Sequence, residues 1–214
     1  MKQIKAVLIL IITSLISVSA VALDRTKIVD DANHVTPLLI GQQVPDIHLW
    51  DTEGKPFRLL EKVKQKPTIL LFYRGGWCPF CNAQLSQIQE IESELVEMGY
   101  QLLAVSPDTP DELVQTSETR NLSYELVSDF QLAATRGFGL AFHIDDGYAG
   151  KIEELGGKAA KAEGDSQSTL PVPAVFILDK QGMIQFEYIN PNYKVRIESE
   201  LLLAAAKVAL GQNK

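Results

Sequence analysis

Thr68-Ile69-Leu70-Leu71-Phe72-Tyr73-Arg74-Gly75-Gly76-Trp77-Cys78-Pro79-Phe80-Cys81-Asn82 is the stretch on which the fold turns. Residues 68–73 form a near-continuous apolar run, the pattern of a strand covered on both faces. Beyond the cysteines, Leu85, Ile88, Ile91, Leu95 and Met98 recur at helical spacing and make one apolar stripe. A buried strand therefore passes through a Gly-Gly turn into an amphipathic helix. Both cysteines stand at that junction.

Working downstream, residues 101–106 (QLLAVS) read as a second buried strand. Pro107 and Pro110 precede a helical stretch at 111–119, and 124–128 is a third strand candidate. Strands alternating with helices predict a largely parallel sheet with helices on its faces. Residues 174–178 and 184–189, joined through Asp179-Lys180-Gln181-Gly182, form a hairpin that adds antiparallel pairing. Ile197, Leu201, Ala205 and Val208 mark a last helix, stopped at Gly211. Upstream, 47–50 and 57–59 flank the turn residues Asp51-Thr52-Glu53-Gly54 as a small hairpin. The expected class is α/β, a central mixed sheet flanked by helices, over one domain at 39–214.

Two segments break the pattern. Residues 23–38 are polar and unpatterned and are expected to be a poorly ordered leader. Residues 142–169 are expected to be an insertion of low stability, with a helix at 152–162. Within it, Gly156-Gly157-Lys158 lacks the upstream glycine of a phosphate loop, and Asp145-Asp146-Gly147 lacks the alternating oxygen ligands of a calcium loop.

The 214 residues carry 27 acidic and 20 basic side chains, a net charge of -7, with 46% apolar and 22% charged positions. That mix excludes a disordered chain, and two cysteines exclude a disulfide-stapled miniprotein. The acidic balance disfavours nucleic acid and anionic membrane surfaces as partners. Lys2 and Lys5, the apolar stretch at 6–16, and the small residues Ala20 and Ala22 have the layout of a secretory signal. The expectation is a signal peptide at 1–22, cut after Ala22, and a periplasmic or secreted protein without stable membrane insertion. The alternative is an uncleaved anchor that extends the apolar stretch to residue 23. Export would place the thiols in an oxidising setting.

Cys78 and Cys81 form a C-x-x-C at the start of a helix, where unpaired N–H groups and the helix dipole favour a thiolate. Pro79 suits the first helical position. Arg74 adds a nearby positive charge, or pairs with a surface acid. Cys78, at the cap, is expected to reach solvent and attack; Cys81, in the first turn, is expected to be shielded and to resolve. A purely structural disulfide is the weaker alternative: closing four residues stabilises by roughly 2 kcal/mol, against about 3 for a 15-residue loop. A metal site would need further ligands, and His34, His48 and His143 lie far off in sequence. Haem attachment needs His where Asn82 stands. A Cys-His hydrolase would leave one cysteine idle. No cofactor and no metal are expected.

Residues 71–82 (LFYRGGWCPFCN) resemble the active-site segment of the peroxiredoxin-like branch of the alkyl hydroperoxide reductase and thiol-specific antioxidant (AhpC/TSA) family, within the thioredoxin superfamily. The likeness extends to Gly41-Gln42-Gln43-Val44-Pro45-Asp46-Ile47, to Leu103-Ala104-Val105-Ser106-Pro107-Asp108, to Ser128-Asp129 and to residues 170–179, about 39–207 in all. It implies a thioredoxin-like fold and a cis peptide before Pro173, packed beside the cysteines to dock an extended partner; an ordinary trans proline opening a strand is the alternative. It also implies Arg74, Gly75, Trp77, Pro79 and Pro173 as support around catalytic Cys78 and Cys81, with Trp77 a shield over the thiolate or a core aromatic. Two frames compete. The peroxiredoxin frame makes Cys81 the attacking sulfur, with Cys78 in place of a Thr or Ser and Arg74 in place of a Pro, and finds no second Arg near 171–174. The thioredoxin frame makes Cys78 the attacker and Cys81 the resolver. The implied activities are a thiol peroxidase reduced by a thioredoxin-like electron donor, acting on hydroperoxides, or a thiol-disulfide oxidoreductase acting on disulfide substrates.

Overall fold

The computed structural model describes residues 24–212, so the expected signal peptide and its cleavage point lie outside the described residues. In chain order the elements are β1 (His48–Trp50), β2 (Pro56–Arg58), α1 (Leu59–Val63), β3 (Thr68–Phe72), α2 (Pro79–Glu97), β4 (Gln101–Ser106), α3 (Pro110–Arg120), β5 (Glu125–Ser128), α4 (Ala133–Gly137), β6 (Ala141–Ile144), α5 (Asp146–Glu154), β7 (Ala160–Lys161), β8 (Ser168–Pro171), β9 (Ala174–Leu178), β10 (Ile184–Ile189) and α6 (Ser199–Gln212).

Seven strands form one mixed sheet in the order β10-β9-β3-β4-β5-β1-β2. Only β3, β4 and β5 run parallel; the pairs on either side are antiparallel, so the sheet is less parallel than the helix-strand alternation predicts. β3 is central and wholly buried, as its apolar run requires. Side-chain alternation divides it between two cores. Ile69, Leu71 and Tyr73 join Leu85, Ile88 and Leu95 of α2 and Leu202 and Ala206 of α6. Leu70 and Phe72 face the other way, where Phe72 meets Phe138 at 4.9 Å and Phe176 at 6.0 Å between ring centroids. The sequence from β3 into α2 is thereby clamped on both sides, and the cysteines sit where the clamp ends.

Both irregular segments carry secondary structure. The leader carries a short 3-10 turn at Ala32–His34, and Val29 bridges Phe142, its N–H donating to the Ala141 carbonyl at 3.2 Å while His143 N–H donates back at 2.8 Å. It is held because it supplies a pairing partner to the open edge of β6. The insertion forms a three-stranded sheet in the order β6-β8-β7 with its own small core of Ile144, Ile152 and Leu170. Its helix is α5, earlier than 152–162: Asp145 caps it by accepting from Tyr148 N–H at 2.8 Å, and the chain turns at Gly156 with φ +79°. At the other end of the chain α6 runs through Gly211 to Gln212.

Candidate active site

Gly75 adopts φ +136°, and a β-carbon there would stand 2.3 Å from Trp77 Nε1 and 2.7 Å from Asp108 Oδ1, so only glycine makes this turn. Gly76 N–H donates to Asp108 Oδ2 at 2.8 Å, and Asn82 Nδ2 donates to the Gly76 carbonyl at 2.7 Å. Burial pushes the Asp108 carboxyl up to about 6, against the Gly76 hydrogen bond that lowers it. The turn delivers Cys78 as the N-cap of α2, with Pro79 at the first helical position as the sequence predicts.

Cys81 N–H donates to Cys78 Sγ at 3.4 Å. The two sulfurs are chemically unequal. A hydrogen bond from the Cys81 thiol is the largest cause that lowers Cys78 to about 6; burial opposes it, and the Cys81 N–H, Arg74 and Arg196 assist. Cys81 is pushed above the usual thiol range, first by burial, then by hydrogen-bonding to and repulsion from Cys78. One thiolate beside one thiol is the resulting charge state near neutral pH. The expectation that Cys78 reaches solvent is corrected: Cys78 is 1% and Cys81 0% exposed.

Part of the cover over Cys81 comes from outside the cysteine motif. The 190–197 segment after β10 crosses the start of α2 as a strap. Tyr193 stacks on the Arg74 guanidinium at 4.1 Å and meets Phe80 edge-on at 5.7 Å. Arg196 donates to Cys81 Sγ at 3.3 Å and to Gln84 Oε1 at 3.1 Å. A second arginine is absent near 171–174, but the strap brings one to the sulfur from 115 positions away. No local motif marks Arg196, because only the fold sets its distance to Cys81.

Arg74 is buried rather than paired with a surface acid. Its Nη2 donates to the Tyr148 hydroxyl, and it lies 5.2 Å from the ring centres of both Trp77 and Tyr148. Trp77 wedges between the main core and the small core, with Gly157 so close that a β-carbon would fall 2.2 Å from its ring. Pro173 departs from expectation: there is no cis peptide among the described residues. It is a trans proline ahead of β9, a position where the missing N–H is tolerated, and its carbonyl accepts from Asn190 N–H at 3.4 Å where the strap begins. Among the described residues no three His, Cys, Asp or Glu side chains are grouped to hold a metal ion.

The AhpC/TSA family model matches residues 40–187, more than half of the chain and the whole cysteine junction. The chain belongs to the AhpC/TSA family. This AhpC/TSA protein is an oxidoreductase. It is 31% identical over 106 residues to the putative peroxiredoxin bcp of Haemophilus influenzae, covering 50% of this chain and 68% of that one. It is 27% identical over 150 residues to chloroplastic peroxiredoxin Q of Populus jackii, covering 70% and 60%. Among solved structures, peroxidoxin BcpB of Mycobacterium tuberculosis superposes with a TM-score of 0.62 at 20% identity, over 79% of this chain and 96% of that one. Reduced Prx3 of Vibrio vulnificus, in complex with hydrogen peroxide, superposes with a TM-score of 0.64 at 17% identity, over 79% and 99%. The thioredoxin-like fold is common to them.

Proposed function

We propose that this AhpC/TSA protein reduces hydroperoxides by cycling Cys78 and Cys81 between dithiol and disulfide. The observation that carries the proposal is a buried cysteine pair at a helix start, with Cys78 Sγ accepting from Cys81 N–H and Cys81 Sγ accepting from Arg196, an arrangement that lowers the first thiol and raises the second. A hydroperoxide is among the smallest electrophiles a thiolate can attack, so burial of the pair obstructs it least. The names of the relatives support the same substrate class.

The Cys78 thiolate attacks the outer peroxide oxygen: the S–O bond forms, the O–O bond breaks, and the alkoxide leaves and takes a proton from water. Cys78 becomes a sulfenic acid and loses its charge. That removes the repulsion that keeps Cys81 protonated, while Arg196 remains to favour the second thiolate. Cys81 then attacks the Cys78 sulfur; the disulfide forms and hydroxide departs, becoming water with the proton that Cys81 releases. A thioredoxin-like dithiol donor would return the pair to the reduced form through a mixed disulfide.

A second reading keeps one observation in its favour. A lowered thiol on the first cysteine of a C-x-x-C is the arrangement that also suits exchange with disulfides. Peroxide consumption and insulin disulfide reduction by Cys78→Ser and Cys81→Ser, each fed by a thioredoxin system, separate the two. We expect either substitution to bring peroxide turnover to background, with the Cys81→Ser protein still oxidised once to a sulfenic acid. Insulin reduction above that of the thioredoxin system alone, without peroxide turnover in the unsubstituted protein, would reject the peroxidase. We further infer export through residues 1–22; mature protein beginning at Met1 would reject that.

A further inference from the structure

Arg74 also lines a cavity of about 470 Å³, bounded by the leader, the small sheet and the strap. This is within the size range of small-molecule sites, roughly 300–1,000 Å³. Phe142, Tyr148 and Tyr193 wall it, and its most buried lining residue is Arg74, 3% exposed. The guanidinium is enclosed by aromatic faces, its Nε has no hydrogen-bond partner, and no carboxylate forms an ion pair with it among the described residues. A buried cation ordinarily has an anionic partner, because desolvating an unpaired charge is costly. The Cys78 thiolate feels the charge of Arg74, but that thiolate vanishes whenever the pair is oxidised.

We propose that the cavity binds a small organic monocarboxylate, its carboxylate on Arg74 and the Tyr148 hydroxyl and its apolar body between Phe142 and Tyr193. The mouth defines the class further. Asp30, Asp31 and Asp145 stand there, each already engaged: Asp30 with the His143 ring at 3.1 Å, Asp31 with Asn33 N–H at 2.7 Å, and Asp145 with Tyr148 N–H at 2.8 Å. Their summed charge repels polyanions such as nucleotides, whereas a single carboxylate carried past them by an apolar body reaches Arg74. Carboxylate and Cys78 thiolate share one cation, so each weakens the other. The ligand therefore binds the disulfide form more tightly than the reduced form, and by reciprocity it disfavours ionisation of Cys78.

Binding does not depend on the peroxidase cycle; only its redox dependence does. The experiment titrates phenylacetate and its neutral counterpart phenylacetamide into reduced and diamide-oxidised protein, read by tryptophan fluorescence and calorimetry. Phenylacetate is expected to bind at least about tenfold more tightly than the amide. The preference should be lost in Arg74→Gln and partly kept in Arg74→Lys. Equal binding of acid and amide, no saturation by phenylacetate, tighter binding of ATP, or a preference that survives in a folded Arg74→Gln protein would overturn the site. Should Arg74→Gln fail to fold, the acid-amide comparison on the unsubstituted protein decides alone. Tighter binding to the reduced form would overturn the shared-cation coupling and leave the peroxidase proposal to its own test.

Discussion

Cys78 and Cys81 differ in charge although they sit one helical turn apart, because the same contact acts on them with opposite sign. The Cys81 thiol donates to Cys78 and stabilises its thiolate; that thiolate, with burial, holds the proton on Cys81. The first chemical step should therefore follow the ionisation of Cys78. Its rate, measured by stopped flow with hydrogen peroxide in excess, is expected to climb through pH about 6 and to be nearly flat above pH 7. A midpoint in the ordinary thiol range, about 8.5, would show that the contact does not act in solution. Arg196 belongs to the second step, where Cys81 must ionise against burial. Above pH 7, where Cys78 is ionised even without the small share that Arg196 contributes, Arg196→Gln is expected to leave sulfenic acid formation close to its normal rate and to slow disulfide closure by about tenfold to a hundredfold, with Arg196→Lys in between. Sulfenic trapping by dimedone distinguishes the steps: more trapped sulfenic acid in Arg196→Gln supports the assignment, and unchanged trapping removes it.

At the level of elements, what the sequence made legible was local. The apolar run of β3, the glycine turn and the stripe of α2 lie within about thirty residues, so their physics is written in consecutive positions. The cysteine pair, Pro79 as first helical residue and Gly75 as turn residue follow from that stretch alone. The strap was not legible, because residues 190–197 have neither period nor motif; what they do depends on Tyr193 and Arg196 meeting side chains more than a hundred positions away. Past Asn190, whose N–H reaches the Pro173 carbonyl, the strap's backbone hydrogen bonding turns local, as with Val195 N–H to the Asn192 carbonyl at 2.9 Å. Side chains therefore tether it to the body, and weakening one should uncover the sulfurs. Tyr193→Ala is expected to raise the rate of modification by a bulky disulfide reagent such as dithionitrobenzoate several-fold more than the rate with hydrogen peroxide. Tyr193→Phe, which keeps the stack on Arg74 and Phe80, should leave that ratio unchanged. Equal acceleration with both oxidants in Tyr193→Ala would mean that the tyrosine alters sulfur reactivity and does not gate access.

Across the whole molecule, the backbone bridge at Val29 that joins the leader to the insertion is reinforced by one imidazole. His143 on β6 places Nδ1 3.1 Å from Asp30 of the leader and Nε2 2.8 Å from Asp165 of the β7–β8 connection. A neutral imidazole carries one N–H and satisfies only one of these carboxylates; the imidazolium satisfies both. Burial alone would lower the pKa of His143, but the hydrogen bonds and charges of Asp165 and Asp30 outweigh it and raise the value above 6.5. A raised histidine contributes stability that is fully present below its unfolded pKa, about 6.5, and is lost as the pH rises through the folded value. Asp108 and Asp129, both pushed up to about 6 by burial, titrate in the same region, so the melting temperature of one protein alone does not isolate the clasp. The difference between the unsubstituted protein and His143→Gln does, since both buried aspartates are common to the pair. Because Asp30 is almost fully exposed, the difference should be small, about 1–3 °C at pH 5.5. It is expected to shrink as the pH rises beyond 6.5 and to vanish once the imidazole is neutral. A difference that is constant from pH 5.5 to 8.5 would mean that His143 joins the leader to the small sheet through packing and not through its charge.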